Sequence, residues 1–294
     1  MLHGRGAGRR IGTFMMFAGP AVLVFAAVMV LPFLYGIFLT FTDWDGKSSQ
    51  YSLVGLANYA AVFKDGVFWS SLLLTLRYAA FTVVLTNVVA FLLAYALSSG
   101  IKGSSFFRAG FFTPNLIGGI VLGLVWQFIF SRVMPEIGKL VGSSVLATSW
   151  LGDPERAFWA MVVVTVWQYS GYMMVIYIAG LTGVPTELIE AASIEGAGAW
   201  VKLKRIILPL LVPSIIICVF LTIQRSFMVY DLNLSLTGGG PYKSTALVSM
   251  NVYQTAFLSQ QYGPGQAQAF FLFLIVAAVS IAQVYFGKKR EVEL

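Results

Sequence analysis

The chain has 294 residues, of which 58% are apolar and 11% are charged, and its formal net charge is +7. A soluble domain usually contains about 25% charged residues, so this composition excludes an ordinary soluble protein and predicts one embedded in a lipid bilayer. The positive charge does not indicate a nucleic-acid partner, because the cations flank apolar segments and do not cluster on a polar domain.

Six long apolar segments follow one another along the chain. They lie at about residues 14–41, 72–97, 109–130, 157–181, 206–230 and 266–286, and about 20 apolar residues suffice for a helix to cross a bilayer. The first follows a basic stretch, as in a signal peptide, but it is longer than the roughly 7–15 residues of a signal-peptide core. We predict an all-α membrane protein with six transmembrane helices in one domain, residues 1–294.

Lysine and arginine are concentrated in alternate connections between these segments. The set of connections that includes both termini carries Arg5, Arg9, Arg10, Lys102, Arg108, Lys202, Lys204, Arg205, Lys288, Lys289 and Arg290. The other set holds fewer cations, spread over longer loops and offset by acids. Because cytoplasmic loops carry an excess of lysine and arginine, we predict that both termini are cytoplasmic.

A polar segment at 185–205 separates the fourth and fifth spans on the same side. Pro185 suits the first turn of a helix, and Glu187 and Glu190 place negative charge where the helix dipole favours it. Gly196 and Gly198 weaken the helix and allow a sharp exit. This pattern predicts a short helix docked on the cytoplasmic face.

Two helix faces within the fourth and fifth spans carry polar and aromatic side chains at intervals of three and four residues. These faces comprise Thr165, Gln168, Tyr169 and Tyr172 in the fourth span, and Thr222, Arg225, Ser226 and Val229 in the fifth. Polar groups at membrane depth normally face protein or a water-filled cavity, so we predict that both faces line a path suited to a sugar. The alternative is helix packing with interhelical hydrogen bonds, and for Arg225 it is snorkelling to the outer interface.

Motifs for catalysis or metal binding are missing from the sequence. His3 is the only histidine and Cys218 the only cysteine, so neither a histidine-based metal site nor a disulfide is expected. The run 238–245, GGGPYKST, resembles a phosphate-binding loop, but that loop requires glycine directly before the lysine, where Tyr242 stands. We expect no enzyme activity, no metal and no cofactor in this chain, and energy for uphill transport would come from another subunit.

The polar segment also carries a family motif. Glu190-Ala191-Ala192, then Gly196, then IILP at 206–209, resembles the cytoplasmic EAA loop of ABC-importer permeases. The carbohydrate-uptake branch, of the maltose- and glycerol-phosphate-permease type, is resembled by VGLANY at 54–59, FTP at 112–114 with Trp126, AGL at 179–181 and LTGGGP at 236–241 with Thr245. The GLxNY element is similar to the first permease of such heterodimers. Glu195 stands where aspartate is usual, and Leu203 with Lys204 replaces an aromatic pair.

This resemblance implies a coupling helix that docks on an ATPase through Glu190, Ala191, Ala192, Glu195 and Gly196. It also implies that the predicted path positions line the sugar site. The implied partners are a second permease, an ATPase dimer that binds ATP and Mg, an extracytoplasmic sugar-binding protein and the lipid of a bacterial cytoplasmic membrane. The alternative function is a self-contained secondary transporter or channel, which often shows inverted repeats or acids at the midplane. The chain shows no evident inverted repeat, and its acids lie in predicted loops.

Overall fold

A computed structural model of the chain describes residues 4–291, with side chains from Gly12 to Glu291. His3 and the side chains of Arg5, Arg9 and Arg10 lie outside the described part. The α-helices are α1 (Gly4–Phe25), α2 (Leu31–Leu39), α3 (Ala57–Lys64), α4 (Gly66–Ser98), α5 (Ser104–Phe112), α6 (Gly119–Phe128), α7 (Met134–Val141), α8 (Pro154–Thr182), α9 (Thr186–Ile194), α10 (Ala199–Lys202), α11 (Leu208–Leu210), α12 (Val212–Phe227), α13 (Asp231–Leu236), α14 (Val248–Tyr253) and α15 (Tyr262–Lys288).

Short segments of other helix types join several of these helices. Wider π-helical turns occur at Ala26–Val30, Ile129–Val133, Leu203–Ile207 and Gln254–Leu258, and 3₁₀ turns at Thr113–Leu116 and Trp150–Gly152. Within residues 4–291 no β-strand forms, and one isolated bridge pairs Thr42 with Leu53. The protein is therefore all-α, as the sequence predicts.

Five helical stretches are long and apolar enough to cross a membrane. They are Gly12–Leu39, Gly66–Ser98, Gly119–Val141, Pro154–Thr182 and Tyr262–Lys288. A sixth span results if Ala199–Leu210 and Val212–Phe227, which are bent by 69° relative to each other, are taken as one. The chain is thus a multi-pass membrane protein with five or six spans among its described residues.

The third span differs from the sequence prediction of 109–130. The apolar run is interrupted at Pro114, whose ring removes a backbone donor and clashes with the preceding turn. After the 3₁₀ turn, Ile117 and Gly118 are extended, with ψ of 123° and 142°. The membrane-length helix therefore starts only at Gly119 and continues to Val141, through residues that we predicted to form a polar connection. Hydropathy alone does not detect such a break.

The fifth predicted span, 206–230, also differs. Pro209 and Pro213 flank Leu211, where the bend of 69° occurs, because neither proline can donate a helical hydrogen bond. The helix ends at Phe227, and α13 begins four residues later at Asp231.

The chain divides into two compact units. One comprises the chain up to Asp65 together with Val252–Phe271, and the other comprises Gly66–Asn251 together with the chain from Leu272. In the first unit the Asn58 amide donates to the carbonyls of Thr40 and Thr42, at 2.9 and 2.7 Å. Asp45 accepts hydrogen bonds from the backbone of Ser48 and Lys47 and from the Ser48 hydroxyl, which lower the pKa of its carboxyl to about 2.

The second unit is built on α4, α8 and α12. In the membrane segment of α8 61% of the residues are buried, against 6% in Gly12–Leu39, so α8 is a core helix. The face of α4 that packs in this core consists mainly of small and polar residues, Ser71, Thr75, Ala79, Thr82, Thr86, Ala90 and Ala94. Small side chains let helix backbones approach closely in a membrane, where no hydrophobic force drives the helices together.

Gly171 allows the closest of these approaches. A Cβ at this position of α8 would overlap the carbonyl oxygen of Phe111, so α5 crosses α8 in backbone contact. We expect Gly171→Ala to destabilise the purified protein by about 1–3 kcal/mol through overpacking, measured as a lower unfolding temperature in detergent. Gly110→Ala in α5 is the matched control, because nothing lies within 4 Å of its Cβ. Equal unfolding temperatures for the two variants would contradict this packing.

Candidate functional site

Four of the eight predicted path residues line one cavity of about 300 Å³ in the second unit. Gln168 and Tyr169 come from α8, Arg225 from α12, and Val229 from the residues after α12. The rest of the lining is Gly119, Met228, Tyr230, Asp231 and Leu232. The spacing of three and four residues therefore brings Gln168 and Tyr169 of α8 beside Arg225 of α12. That these positions line a sugar path stays a prediction.

Three other predicted path residues are buried in contacts with α4. The Thr165 hydroxyl is hydrogen-bonded to that of Tyr78, and Thr222 accepts from the Asn87 amide at 3.0 Å. The hydroxyls of Ser226 and Thr82 lie 2.8 Å apart. None of the three lines the cavity. Their geometry is that of the alternative that the sequence left open, helix packing through interhelical hydrogen bonds.

Arg225 is the cationic side chain of the cavity lining, and its guanidinium is held on three sides. Its central carbon lies 4.4 Å from the ring centre of Tyr169 and 5.2 Å from that of Tyr172. Its Nη1 donates to Oδ1 of Asn115 at 3.0 Å. Tyr172, the eighth predicted residue, thus acts on the cavity through Arg225 and is not part of its lining. Arg225 is half-buried and bound by these three neighbours.

Two hydrogen-bond acceptors of the cavity lining have no protein donor among residues 12–291. Gln168 donates through Nε2 to the Ile117 carbonyl at 3.1 Å, and its Oε1 accepts nothing within that range. The Asp231 carboxylate likewise accepts no hydrogen bond and forms no ion pair there; the ion pairs found are Arg77–Glu155 and Lys139–Glu136. The cavity therefore offers free acceptors beside a guanidinium donor and an aromatic ring.

Sequence reasoning missed Asp231, which it assigned to an external connection. The residue begins α13, and α13 packs back against α6 because two glycines leave room. A Cβ at Gly119 would lie 2.8 Å from Cβ of Asp231, and one at Gly123 would overlap the side chain of Ser235. The signal in the sequence was an acid directly after an apolar span, but the return of α13 depends on contacts distant in the chain.

Two larger cavities are unsuited to a polar solute. One of about 720 Å³ lies against α4, α5 and α8, and the other, of about 780 Å³, against α12 and α15. The first lining is almost entirely aliphatic and aromatic, with Phe106, Phe107, Trp159 and Trp167. The second is mainly apolar, with Phe220 and Phe273, and its polar side chains are Gln224, Ser280, Tyr285 and Lys288. Hydroxyl groups would find few hydrogen-bond partners in either cavity.

The polar segment at 185–205 contains the short helix α9, Thr186–Ile194. Pro185 precedes it as the cap, with ψ of 127°, and α9 ends at Ile194. Gly196 then adopts φ of +77°, a conformation that glycine tolerates best. The Ala197 N–H bonds to the Ala192 carbonyl at 2.8 Å and the Gly196 N–H to Ser193 at 3.1 Å, which is a Schellman helix end.

The surface of this segment is open. Glu190, Ala191 and Ala192 lie in α9, Glu195 and Gly196 in the turn after it, and none of these residues is buried. Ile194 is 88% exposed and Trp200 71% exposed. The Lys202 ammonium donates to the Ser193 hydroxyl at 2.7 Å, which ties α10 back to α9. The segment is therefore an ordered helix–turn–helix that presents apolar and acidic side chains.

The glycine-rich loop after α13 is anchored by a fully buried residue. The Asn233 amide donates to the Thr245 carbonyl at 2.8 Å and accepts from the Leu247 N–H at 3.2 Å. The Thr245 hydroxyl closes the loop on the Gly240 carbonyl at 2.7 Å. Tyr242 at its tip is 93% exposed. The loop is thus a braced structure that displays one aromatic side chain.

Comparison with known proteins identifies relatives over nearly the whole chain. It is 41% identical over 281 residues to the probable starch degradation products transport system permease protein AmyD of Thermoanaerobacterium thermosulfurigenes. The alignment covers 96% of this chain and 96% of AmyD. It is 35% identical over 261 residues to the multiple sugar-binding transport system permease protein MsmF of Streptococcus mutans, which covers 89% of this chain and 90% of MsmF.

A solved structure shares the fold. It is that of a bacterial ABC transporter involved in the import of the acidic polysaccharide alginate, with a TM-score of 0.82, 16% identity, and coverage of 97% of this chain and 98% of that chain. Residues 86–292 match the family described as the binding-protein-dependent transport system inner membrane component. These matches confirm the resemblance to carbohydrate-uptake permeases. The chain belongs to the family of binding-protein-dependent transport system inner membrane components.

Proposed function

We propose that this chain is a permease subunit that imports a sugar or oligosaccharide, and that the cavity between α8 and α12 lies on the sugar's path. The observation that carries the proposal is the chemistry of the cavity lining. Gln168 Oε1 and the Asp231 carboxylate are free to accept hydrogen bonds from a sugar. Arg225 can donate them, and Tyr169 offers an aromatic face. A sugar presents hydroxyls of both polarities beside apolar C–H faces, so this set suits it.

The volume of the cavity and the names of similar proteins support the same substrate class. A volume of about 300 Å³ is at the lower end of the range for small-molecule sites, so one sugar unit at a time fits. The names of AmyD and MsmF refer to starch degradation products and to multiple sugars. Their identity of 41% and 35% with this chain favours a carbohydrate here too.

ATP hydrolysis on a separate ATPase dimer would drive the import, and α9 is the proposed contact. Exposed apolar side chains such as Ile194 and Trp200 fit a protein cleft. An amphipathic helix on lipid headgroups is the alternative, but Glu187 and Glu190 would then face an anionic leaflet. A second permease and an extracytoplasmic sugar-binding protein complete the proposed assembly in a bacterial cytoplasmic membrane, with both termini and α9 in the cytoplasm.

Replacing an unpaired cavity acceptor tests the path. We expect Asp231→Leu to lower sugar uptake by the complete assembly about tenfold, because a hydrogen bond to a charged group contributes about 1.5–3 kcal/mol. The carboxylate has no protein donor among the described side chains, so its removal leaves none unpaired. Thr165→Val is the control: it removes the hydroxyl that bonds Tyr78, lowers the unfolding temperature, and leaves uptake per folded transporter within about twofold. Normal uptake by Asp231→Leu would contradict the proposed path.

The turn after α9 provides a test of coupling. Gly196→Val places a β-branched residue at φ of +77°, where strain of about 1–3 kcal/mol is expected to displace the turn. We expect sugar-stimulated ATPase activity and uptake both to fall at least fivefold. Gly198→Ala, with φ of −67° and open space around its Cβ, is the matched control and retains both. If Gly196→Val retained full coupling, the docking of this segment on the ATPase would be wrong.

Labelling from one side of the membrane tests the topology. In a Cys218→Ser background, a membrane-impermeant maleimide should label Tyr242→Cys in spheroplasts. Trp200→Cys should react only in inverted vesicles. The chain is expressed without the ATPase for this test. Both positions are then exposed, at 93% and 71%, so a negative result cannot be assigned to burial. Labelling of both from the same side would overturn the cytoplasmic assignment of α9.

A further inference from the structure

The break between α5 and α6, residues 113–118, exposes backbone groups that a continuous helix would pair. Inside a bilayer such groups must be satisfied by the protein or by a water-filled cavity. The Ile117 carbonyl accepts from Gln168 of α8 at 3.1 Å. The Ser235 hydroxyl of α13, which bonds the Asp231 carbonyl of its own helix at 2.7 Å, also lies 3.2 Å from the carbonyl of Gly119, where α6 begins. The break is thus clamped by side chains from two neighbouring helices.

A third contact reaches the break from α12. Arg225 Nη1 donates to Asn115 Oδ1 at 3.0 Å, and Asn115 lies in the 3₁₀ turn of the break. Arg225 and Gln168 both line the cavity. Two of the three clamps therefore belong to the proposed sugar path, which links the break to whatever occupies the cavity.

We propose that Asn115 is a positioning residue for Arg225 and so for sugar recognition, an inference that rests on the proposed path. The side-chain amide oxygen of Asn115, Oδ1, fixes one edge of the guanidinium. The central carbon of the guanidinium lies 4.4 and 5.2 Å from the ring centres of Tyr169 and Tyr172. An arginine side chain has five N–H donors in a planar fork. With one donor held by Asn115, the others stay available for sugar hydroxyls in a defined orientation.

No other acceptor holds the Arg225 side chain among residues 12–291. Its recorded hydrogen bond is to Asn115 alone, and it forms no ion pair there. The faces of Tyr169 and Tyr172 attract the guanidinium charge but do not set the direction of its N–H groups. Asn115 removes this freedom before the sugar arrives. Ordering the arginine in advance lowers the entropy cost that binding would otherwise include.

The position of Asn115 gives the bond a second consequence. Asn115 follows Pro114, which prevents α5 from continuing, so its placement depends on the geometry of the break. A sugar that draws Arg225 into the cavity pulls on Asn115 and hence on the turn. A shift of the turn conversely misaligns Arg225. Occupancy of the cavity and the conformation of the break are therefore coupled in both directions.

The test compares uptake by the complete importer in proteoliposomes at saturating sugar-binding protein. Asn115→Ala should lower the uptake rate about tenfold. Asn115→Asp keeps an acceptor oxygen at the same place, and should retain at least half of the wild-type rate. Thr113→Val is the matched control in the same turn, because its hydroxyl bonds only the Ala109 carbonyl at 2.8 Å. It should retain the wild-type rate.

A double-mutant cycle separates positioning from a general effect on folding. Arg225→Lys should itself lower uptake, because an ammonium lacks the planar fork. Adding Asn115→Ala to Arg225→Lys should lower uptake by less than about twofold further. A full tenfold further loss, or a loss in Asn115→Asp as large as in Asn115→Ala, would overturn the positioning role. If Arg225→Lys transported at the wild-type rate, the proposed path itself would fail, which is a distinct result. Should Asn115→Ala not fold, Asn115→Asp and Asn115→Gln decide the question. At least half of the wild-type rate in Asn115→Asp, with a larger loss in Asn115→Gln, which shifts the acceptor by one methylene, supports the role. Equal rates for these two variants, or a loss in Thr113→Val as large as in Asn115→Gln, overturn it.

Discussion

Every polar group in this protein that lies at membrane depth needs a partner, because lipid offers none. On α4 the small and hydroxyl-bearing face meets α8 and α12, and its polar groups bond across the helices. Asn87 accepts from the Tyr177 hydroxyl at 2.8 Å and donates to Thr222 at 3.0 Å, so one amide joins all three helices. Small residues let these helices approach closely, and only this close approach brings the hydrogen-bonding groups within reach of each other.

The same requirement explains where the candidate site lies. Breaking a span between α5 and α6 leaves carbonyl groups without helical partners, and the side chains that satisfy them have to be polar and near. Gln168 meets that need at the Ile117 carbonyl, and Arg225 bonds the Asn115 side chain in the same turn; both residues also line the cavity. A continuous, fully apolar helix at this place would need neither residue. The irregular backbone requires polar side chains nearby, and the same side chains make the cavity polar.

The sequence predicted the helical membrane fold, and its helical phase put Gln168, Tyr169 and Arg225 on faces that meet at one cavity, while their role in a sugar path stays a prediction. It did not separate Thr165, Thr222 and Ser226 from them, because phase places a hydroxyl on a face but does not reveal a Tyr78 or a Thr82 on another helix. Hydropathy likewise missed the break at Pro114, so the predicted third span began at residue 109 although the membrane-length helix begins at Gly119. Asp231 was missed because its place depends on Gly119 and Gly123, residues more than a hundred positions earlier in the chain.

The two ends of the proposed machine differ in how their backbone is stabilised. The cavity is stabilised by contacts between distant helices, so its shape depends on the relative positions of α6, α8 and α12. The segment after α8 is stabilised locally, by the Schellman turn at Gly196 and the Lys202–Ser193 bond. A locally stabilised element can move as a rigid body and keep its docking surface while the spans rearrange. A site held by distant contacts changes when they do, and in the proposed importer this difference is how motion of α9 would open or close the cavity.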